Sequence, residues 1–307
     1  ADGVRGPSDG DLGTWHRFHY SLVDPEYHWR TPVGDHTAAA QAGLAYAKDD
    51  RANFSFGTKE VWSLNAVEGR NLIAVFFTSP REDGLGVAED GSIDEADRQV
   101  KLDSIGLYTR EQAAAAVLSE HWPCSIRTAH FQYDYSLCPE TPNSGAEGLG
   151  GPNGTRDGGK LTLRKLWFSY GCSTRGVTSP YKFQYGDEAD ETDNPVYFAD
   201  ATDRWGGLRP VPGWEPSGVV GTWDLPTRDY PYAVQDPDAA MKLVQAWNLT
   251  RIKTPSAKVT TIAYEPDVYG HVQDQEPTTM FRLIGACMDA QDPDDDEASA
   301  TVLLPDA

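Results

Sequence analysis

Apolar positions along this chain recur in two rhythms, and both predict β-strands. Leu72–Thr78 is a continuous apolar run of the kind that fills a buried strand. Lys258–Tyr264 alternates instead, as a strand with one wet face does. Short runs rich in aromatic and β-branched residues predict further strands at Thr14–Tyr20, Asn53–Phe56, Glu60–Leu64, Asp103–Tyr108, Tyr181–Tyr185, Leu249–Lys253 and Met280–Cys287. Thr128–Tyr135 and Leu161–Tyr170 predict the two arms of a long hairpin, with a Gly-, Asn- and Pro-rich loop over Pro139–Gly159. Thr254-Pro255-Ser256-Ala257 predicts the turn between the strands at Leu249 and Lys258.

Helical signals are few. In Thr109–Glu120, Thr109 is placed to cap and Gln112 lies three residues on, the spacing of a capping box. A second helix is predicted over 236–247, with Asp236 as N-cap and Pro237 at the first helical position. Thr37–Ala47 reads as a short helix or a loop of small residues, and 79–100 and 195–229 read as polar and turn-rich. The pattern predicts a mainly β fold of long antiparallel hairpins, in a sandwich or a curved sheet, with these few short helices. Residues 1–288 are expected to form a single β-rich unit with a soft boundary near 229–236, and 289–307 an acidic tail.

Composition agrees and narrows the partners. Among 307 residues, 9 Trp, 14 Tyr and 10 Phe suit strands, and 29 Gly with 21 Pro suit many turns. The net charge of −21, from 47 acidic against 26 basic residues, argues against a nucleic-acid partner and an anionic membrane surface. No apolar run approaches the length of a membrane span, so no membrane insertion is expected. The first residues, Ala1-Asp2-Gly3-Val4-Arg5-Gly6, are polar, as in a processed product or a piece of a larger protein. Acidity spread along the length reads as a surface suited to high salt, or as oxygen ligands for a divalent cation.

The candidate chemistry divides into acidic loops, loop aromatics and thiols. Around Gly91, the residues Asp90, Ser92, Asp94 and Asp97 fall where the second half of an EF-hand loop carries ligands, but Gly86 and Ala88 stand where the first half needs oxygens. Asp187, Glu188, Asp190, Glu191 and Asp193 form a second acidic loop. Both are candidates for Ca2+ and both also read as solvated like-charge turns. The tail cluster Asp292, Asp294, Asp295 and Asp296 reads as solvated. The seven histidines show no metal-ligand spacing, and no GxSxG elbow is present. Trp205, Trp214 and Trp223 lie in Gly/Pro-rich loops, where indoles serve as platforms for sugar rings or plug a core beneath a loop. Cys124, Cys138, Cys172 and Cys287 form no CxxC pair. The long hairpin, if formed, brings Cys124 beside Cys172 and predicts a disulfide there, against the alternative of four reduced thiols.

Five segments in order carry a family likeness: Ile126–Ser144, Gly159–Gly171, Ser179–Gly186, Asp203–Gly207 and Trp247–Asp274. Together they resemble a module of very large secreted or surface proteins of Bacteroidota, akin in style to YD/RHS-type β-rich shells. The chain departs from that pattern at Ser256-Ala257-Lys258, where the family favours Gly-Gly, and at Pro266, which has to sit at a strand end or edge. The resemblance implies a non-enzymatic structural or interaction module, adhesive or shell-forming, at the cell surface or outside it as part of a larger exported protein. Its expected partners are neighbouring modules of the same polypeptide or further copies of itself. A polysaccharide-binding or carbohydrate-active protein and a fragment of an RHS-like toxin shell are the two alternatives.

Overall fold

A computed structural model describes residues 13–31, 55–145, 158–186, 243–265, 285–288 and 300–303, with single positions at 6, 10, 194, 196 and 197. It is mainly β. The strands are β1 Arg17–Arg30, β2 Phe56–Glu68, β3 Leu72–Val87, β4 Ile93–Thr109, β5 Arg127–Leu137, β6 Lys160–Tyr170, β7 Tyr181–Tyr185, β8 Leu249–Lys253 and β9 Val259–Thr261. They form one antiparallel sheet in which every strand lies beside its neighbours in sequence. A separate two-stranded ladder joins β10 Gly285–Met288 to β11 Ala300–Leu303, so a strand lies within the stretch read as an acidic tail. Of the helix expected over 236–247, the described part is a single helical turn at 243–245.

The helix α1, Arg110–Ser119, forms for the reason its sequence gives. The Thr109 hydroxyl accepts from the Gln112 amide N–H at 3.2 Å, and the Gln112 side chain accepts from the Thr109 N–H at 3.0 Å. The chain then returns across β3 and β4, and Trp122 packs edge-on against Phe77 and tilted against Tyr108, with ring centroids 5.3 and 5.0 Å away.

One continuous row of cross-strand partners runs Phe18, Val67, Ala74, Leu107, Arg127, Tyr170 from β1 to β6. The adjacent row, His19, Ala66, Val75, Gly106, Thr128, Ser169, faces the other way. The next row on the first face is again apolar, with Phe76, Ile105, Ala129 and Phe168. Beyond these rows the hairpins part. The β2–β3 ladder has three pairs and the β4–β5 ladder four, whereas β3–β4 continues to Val87 opposite Ile93, and β5–β6 to Leu137 opposite Lys160.

The stretch 79–100, read from sequence as turns, is largely strand. The turn proper is short, with Ala88 donating to the Ser92 carbonyl and Gly91 to the Ala88 carbonyl, each at 2.9 Å. What disguised β3 is a wide bulge: residues 81–84 stand against the single residue Gln99 of β4. Gly84 takes a φ of 64° there, which only glycine adopts without strain. The bulge turns Leu85 (1% exposed) and Asp83 (2% exposed) into the gap between the parted hairpins. Burying that leucine stabilises by roughly 1.5–3 kcal/mol. Around it, the Tyr27 hydroxyl donates to the Gly84 carbonyl at 2.9 Å, the Leu85 N–H to the Asn143 carbonyl at 3.1 Å, and the Glu82 N–H to the Tyr135 hydroxyl at 2.9 Å. The bulge thus ties β1 and β5 to the turn after β5.

Candidate functional site

The parted ends of the hairpins frame a cleft of about 470 Å³ between the end of β1, the β3–β4 hairpin, the 141–143 turn and the start of β6. Among the described residues Arg30, Arg81 and Lys160 line it, with Asp83 as the one carboxylate on its wall. The Arg81 guanidinium grips Asp83 through Nε at 2.8 Å and Nη2 at 2.6 Å, and the Asp83 carboxylate also accepts from the Leu161 N–H at 2.9 Å. That pairing with Asp83 raises the pKa of Arg81 further, so its charge is fixed at any accessible pH. The Lys160 ammonium lies 5.8 Å from the centre of the Tyr197 ring, and Tyr197 is anchored by its N–H to the Pro139 carbonyl at 2.7 Å.

The acidic residues of the β3–β4 hairpin have separate local partners. Asp90 accepts from the N–H and hydroxyl of Ser92 at 2.9 and 2.6 Å, which holds its carboxyl below the ordinary carboxylate value. Asp94 accepts from the Ala96 N–H at 2.8 Å. Asp97 accepts from His28, from Nδ1 at 2.7 Å and from the backbone N–H at 3.1 Å. Burial opposes ionisation of Asp97, but the His28 hydrogen bonds outweigh it and hold the pKa down. The same contact raises the pKa of His28. Among the described residues no group of three His, Cys, Asp or Glu side chains converges on one point. Asp187, Asp190 and Asp193, and Trp205, Trp214 and Trp223, lie outside the described residues.

Cys124 and Cys172 are joined in a disulfide, with Cα atoms 5.1 Å apart, just beyond the pair Arg127 and Tyr170 that ends the β5–β6 ladder. Cys138 is a buried free thiol whose pKa is pushed up by burial.

A second feature lies at the other end of β1. Phe18, Tyr20 and Leu22 pair with Val67, Leu64 and Trp62 of β2, so all six project from one face. Four of them are well exposed: Phe18 by 56%, Tyr20 by 59%, Leu22 by 42% and Trp62 by 55%.

Sequence reasoning missed the cleft and this patch. Alternation at Phe18, Tyr20 and Leu22 was a signal for the second. Nothing in the sequence linked Arg30, Arg81, Lys160 and Tyr197. No protein-family model, no curated protein and no solved structure matches the chain.

Proposed function

We propose that this chain is a non-enzymatic structural module of a larger exported surface protein, and that it joins a second copy of itself through the outer edge of β1. The observation that carries the reading is the coincidence of an edge strand with an apolar patch. Among the described residues β1 is the first strand of the sheet, so its outer backbone groups face no neighbouring strand. Phe18, Tyr20, Leu22 and Trp62 expose about half of each side chain, together roughly 400 Å² of apolar surface, which is in the range that marks interaction sites. Asp24, Pro25 and Glu26 break the edge further along, because proline lacks the N–H a new ladder needs. The pairing segment is therefore Phe18–Leu22. A copy packing there both extends the sheet and covers the patch.

Sedimentation velocity over a concentration series tests this. The parent chain is expected to form a dimer, and Tyr20→Lys with Trp62→Lys to shift it to monomer while keeping the β-sheet circular dichroism. A parent chain that stays monomeric up to high micromolar concentration, or a dimer that these changes leave intact, refutes the proposal.

A further inference from the structure

We propose that the two copies meet in one register: β1 pairs antiparallel with β1 of the second copy about a two-fold axis at Tyr20, so that Tyr20 faces Tyr20 and Phe18 faces Leu22 across the junction. This rests on the self-association proposed above and specifies its geometry. The strand direction follows from symmetry and charge. Identical edges that close on each other without propagating are related by a two-fold axis. Within a continuous sheet that axis is normal to the sheet and makes the two strands antiparallel. Antiparallel pairing also sets the Arg17 end of one strand beside the Asp24–Glu26 end of the other, whereas a parallel pair would set like charges side by side.

The register follows from where β1 is regular and what it exposes. The mismatch with β2 at His19/Tyr20 is absorbed by Asn65 on the β2 side, so Arg17 to Leu22 run in unbroken alternation. Val23 is the first residue of β1 without a partner on β2, and Pro25 follows without an N–H. Directly opposed residues of an antiparallel pair share a face, so the axis passes through a residue and not between two. Within the regular stretch the choice falls among His19, Tyr20 and Ser21. An axis at His19 sets imidazole against imidazole and leaves Leu22 opposite His16. An axis at Ser21 sets Phe18 opposite Asp24, and Arg17 opposite Pro25. At Tyr20 the three exposed apolar residues of the edge, Phe18, Tyr20 and Leu22, meet only one another. On the other face His19 then meets Ser21, and each already has a partner in its own chain, Glu68 at 3.0 Å and Asn65 at 3.1 Å.

A charge swap at the axis reads this register directly. Tyr20→Asp and Tyr20→Lys are each expected to weaken self-association by about tenfold or more in sedimentation velocity, because each new charge faces its own copy. An equal mixture of the two is expected to associate about tenfold more tightly than either alone, since opposite charges then face each other. Tyr20 is 59% exposed, so both variants are expected to keep the parent melting temperature. As a second reading, Phe18→Cys, Tyr20→Cys and Leu22→Cys are oxidised alone and in pairs, and the links are located by peptide mapping. Directly opposed Cα atoms lie within the span of a disulfide, so Tyr20→Cys is expected to link to itself and Phe18→Cys to Leu22→Cys. A parent chain that stays monomeric overturns self-association and register together. With a dimeric parent, three results overturn the register alone: Tyr20→Asp associating as tightly as the parent, no recovery in the mixture, or Phe18→Cys linking to itself or to Tyr20→Cys instead.

Discussion

Asp83→Asn is the substitution that bears hardest on this fold. The Asp83 side chain is 3% exposed and that of Arg81 25%, so the pair is largely withdrawn from water. The carboxylate takes two hydrogen bonds from the guanidinium and one from the Leu161 N–H, and an amide of the same shape cannot reproduce them. With its oxygen in the place of Oδ2 it still accepts from Arg81 Nη2 and the Leu161 N–H, while its NH2 is brought against the Arg81 Nε–H. Arg81 is left charged in the gap between hairpins without its counter-ion. Breaking a buried pair from one side costs about 3–5 kcal/mol, much of it from the stranded charge. Urea unfolding followed by tryptophan fluorescence is therefore expected to show a loss of at least about 3 kcal/mol. Arg81→Met alone is expected to cost a similar amount, since it strands the carboxylate instead. Combining it with Asp83→Leu removes both charges, so the double variant is expected to be less destabilised than the sum, although the Leu161 N–H still loses its acceptor. Hydrogen exchange at Leu161 is expected to speed up in every variant that lacks the carboxylate. A loss below about 1 kcal/mol for Asp83→Asn, or strictly additive losses, refutes the view that this pair locks the bulge onto β6.

Three further perturbations test other parts of the structure. Reducing the Cys124–Cys172 disulfide, whose partners are 48 residues apart in sequence, releases the whole β5–β6 hairpin in the unfolded chain. The loop-entropy argument gives a loss of up to about 4 kcal/mol, read as a lower urea midpoint for the reduced protein. Ala257 holds a φ of 65°, a glycine conformation, in the turn where Thr254 N–H bonds the Lys258 carbonyl and Ala257 N–H bonds the Thr254 carbonyl. Ala257→Gly is therefore expected to stabilise by about 1 kcal/mol in thermal unfolding, the relieved strain exceeding the added chain entropy. His28 is expected to titrate above 6.5 by NMR, and Asp97→Asn to bring it down. Because its folded pKa is raised, the His28 contribution is present below the ordinary imidazole value and lost as pH rises through the folded midpoint. Asp97 is depressed, so its contribution is present above the ordinary carboxylate value and lost as pH falls through its folded midpoint. The link is thus strongest between those two ordinary values, and an unshifted His28 midpoint sinks it.

Local signals in this chain were legible wherever the element needs only its own residues. The capping box at Thr109 and Gln112 is four residues of chemistry, and it starts α1 as the pattern says. The β5–β6 hairpin followed from its two arms, Thr128–Tyr135 and Leu161–Tyr170, which fall within the observed strands Arg127–Leu137 and Lys160–Tyr170. The stretch 79–100 was misread because its breakers have two different jobs. Gly91 makes the turn, while Gly84 serves the bulge inside a strand, and the extra residues at 81–84 interrupt the ladder so that Leu85 does not read as part of the strand that begins with the apolar run Leu72–Thr78. Asp90, Asp94 and Asp97 read both as a ligand loop and as a turn because turn-making and cation-binding draw on the same short carboxylates. In the fold each is occupied by a nearby N–H, hydroxyl or imidazole.

The cleft was illegible for a more general reason. Arg30, Arg81, Lys160 and Tyr197 come from four segments, and each alone reads as ordinary solvated surface. They meet because the ladders on either side of the β3–β4 hairpin are short, so the hairpins fan apart and leave a gap that one bulge must bridge. The same geometry concentrates the deepest burial, at Leu85 and Asp83, in the bulge and away from the middle of the sheet. A meander built this way has little apolar cover over its first two strands, where Phe18, Tyr20 and Trp62 each keep more than half their surface in water. Covering that surface in the proposed dimer would add hydrophobic stabilisation that the isolated sheet lacks, at roughly 25 cal/mol per Å². Substitutions that weaken the proposed dimer are expected to leave the Asp83 lock untouched, since the two sets of side chains lie at opposite ends of β1.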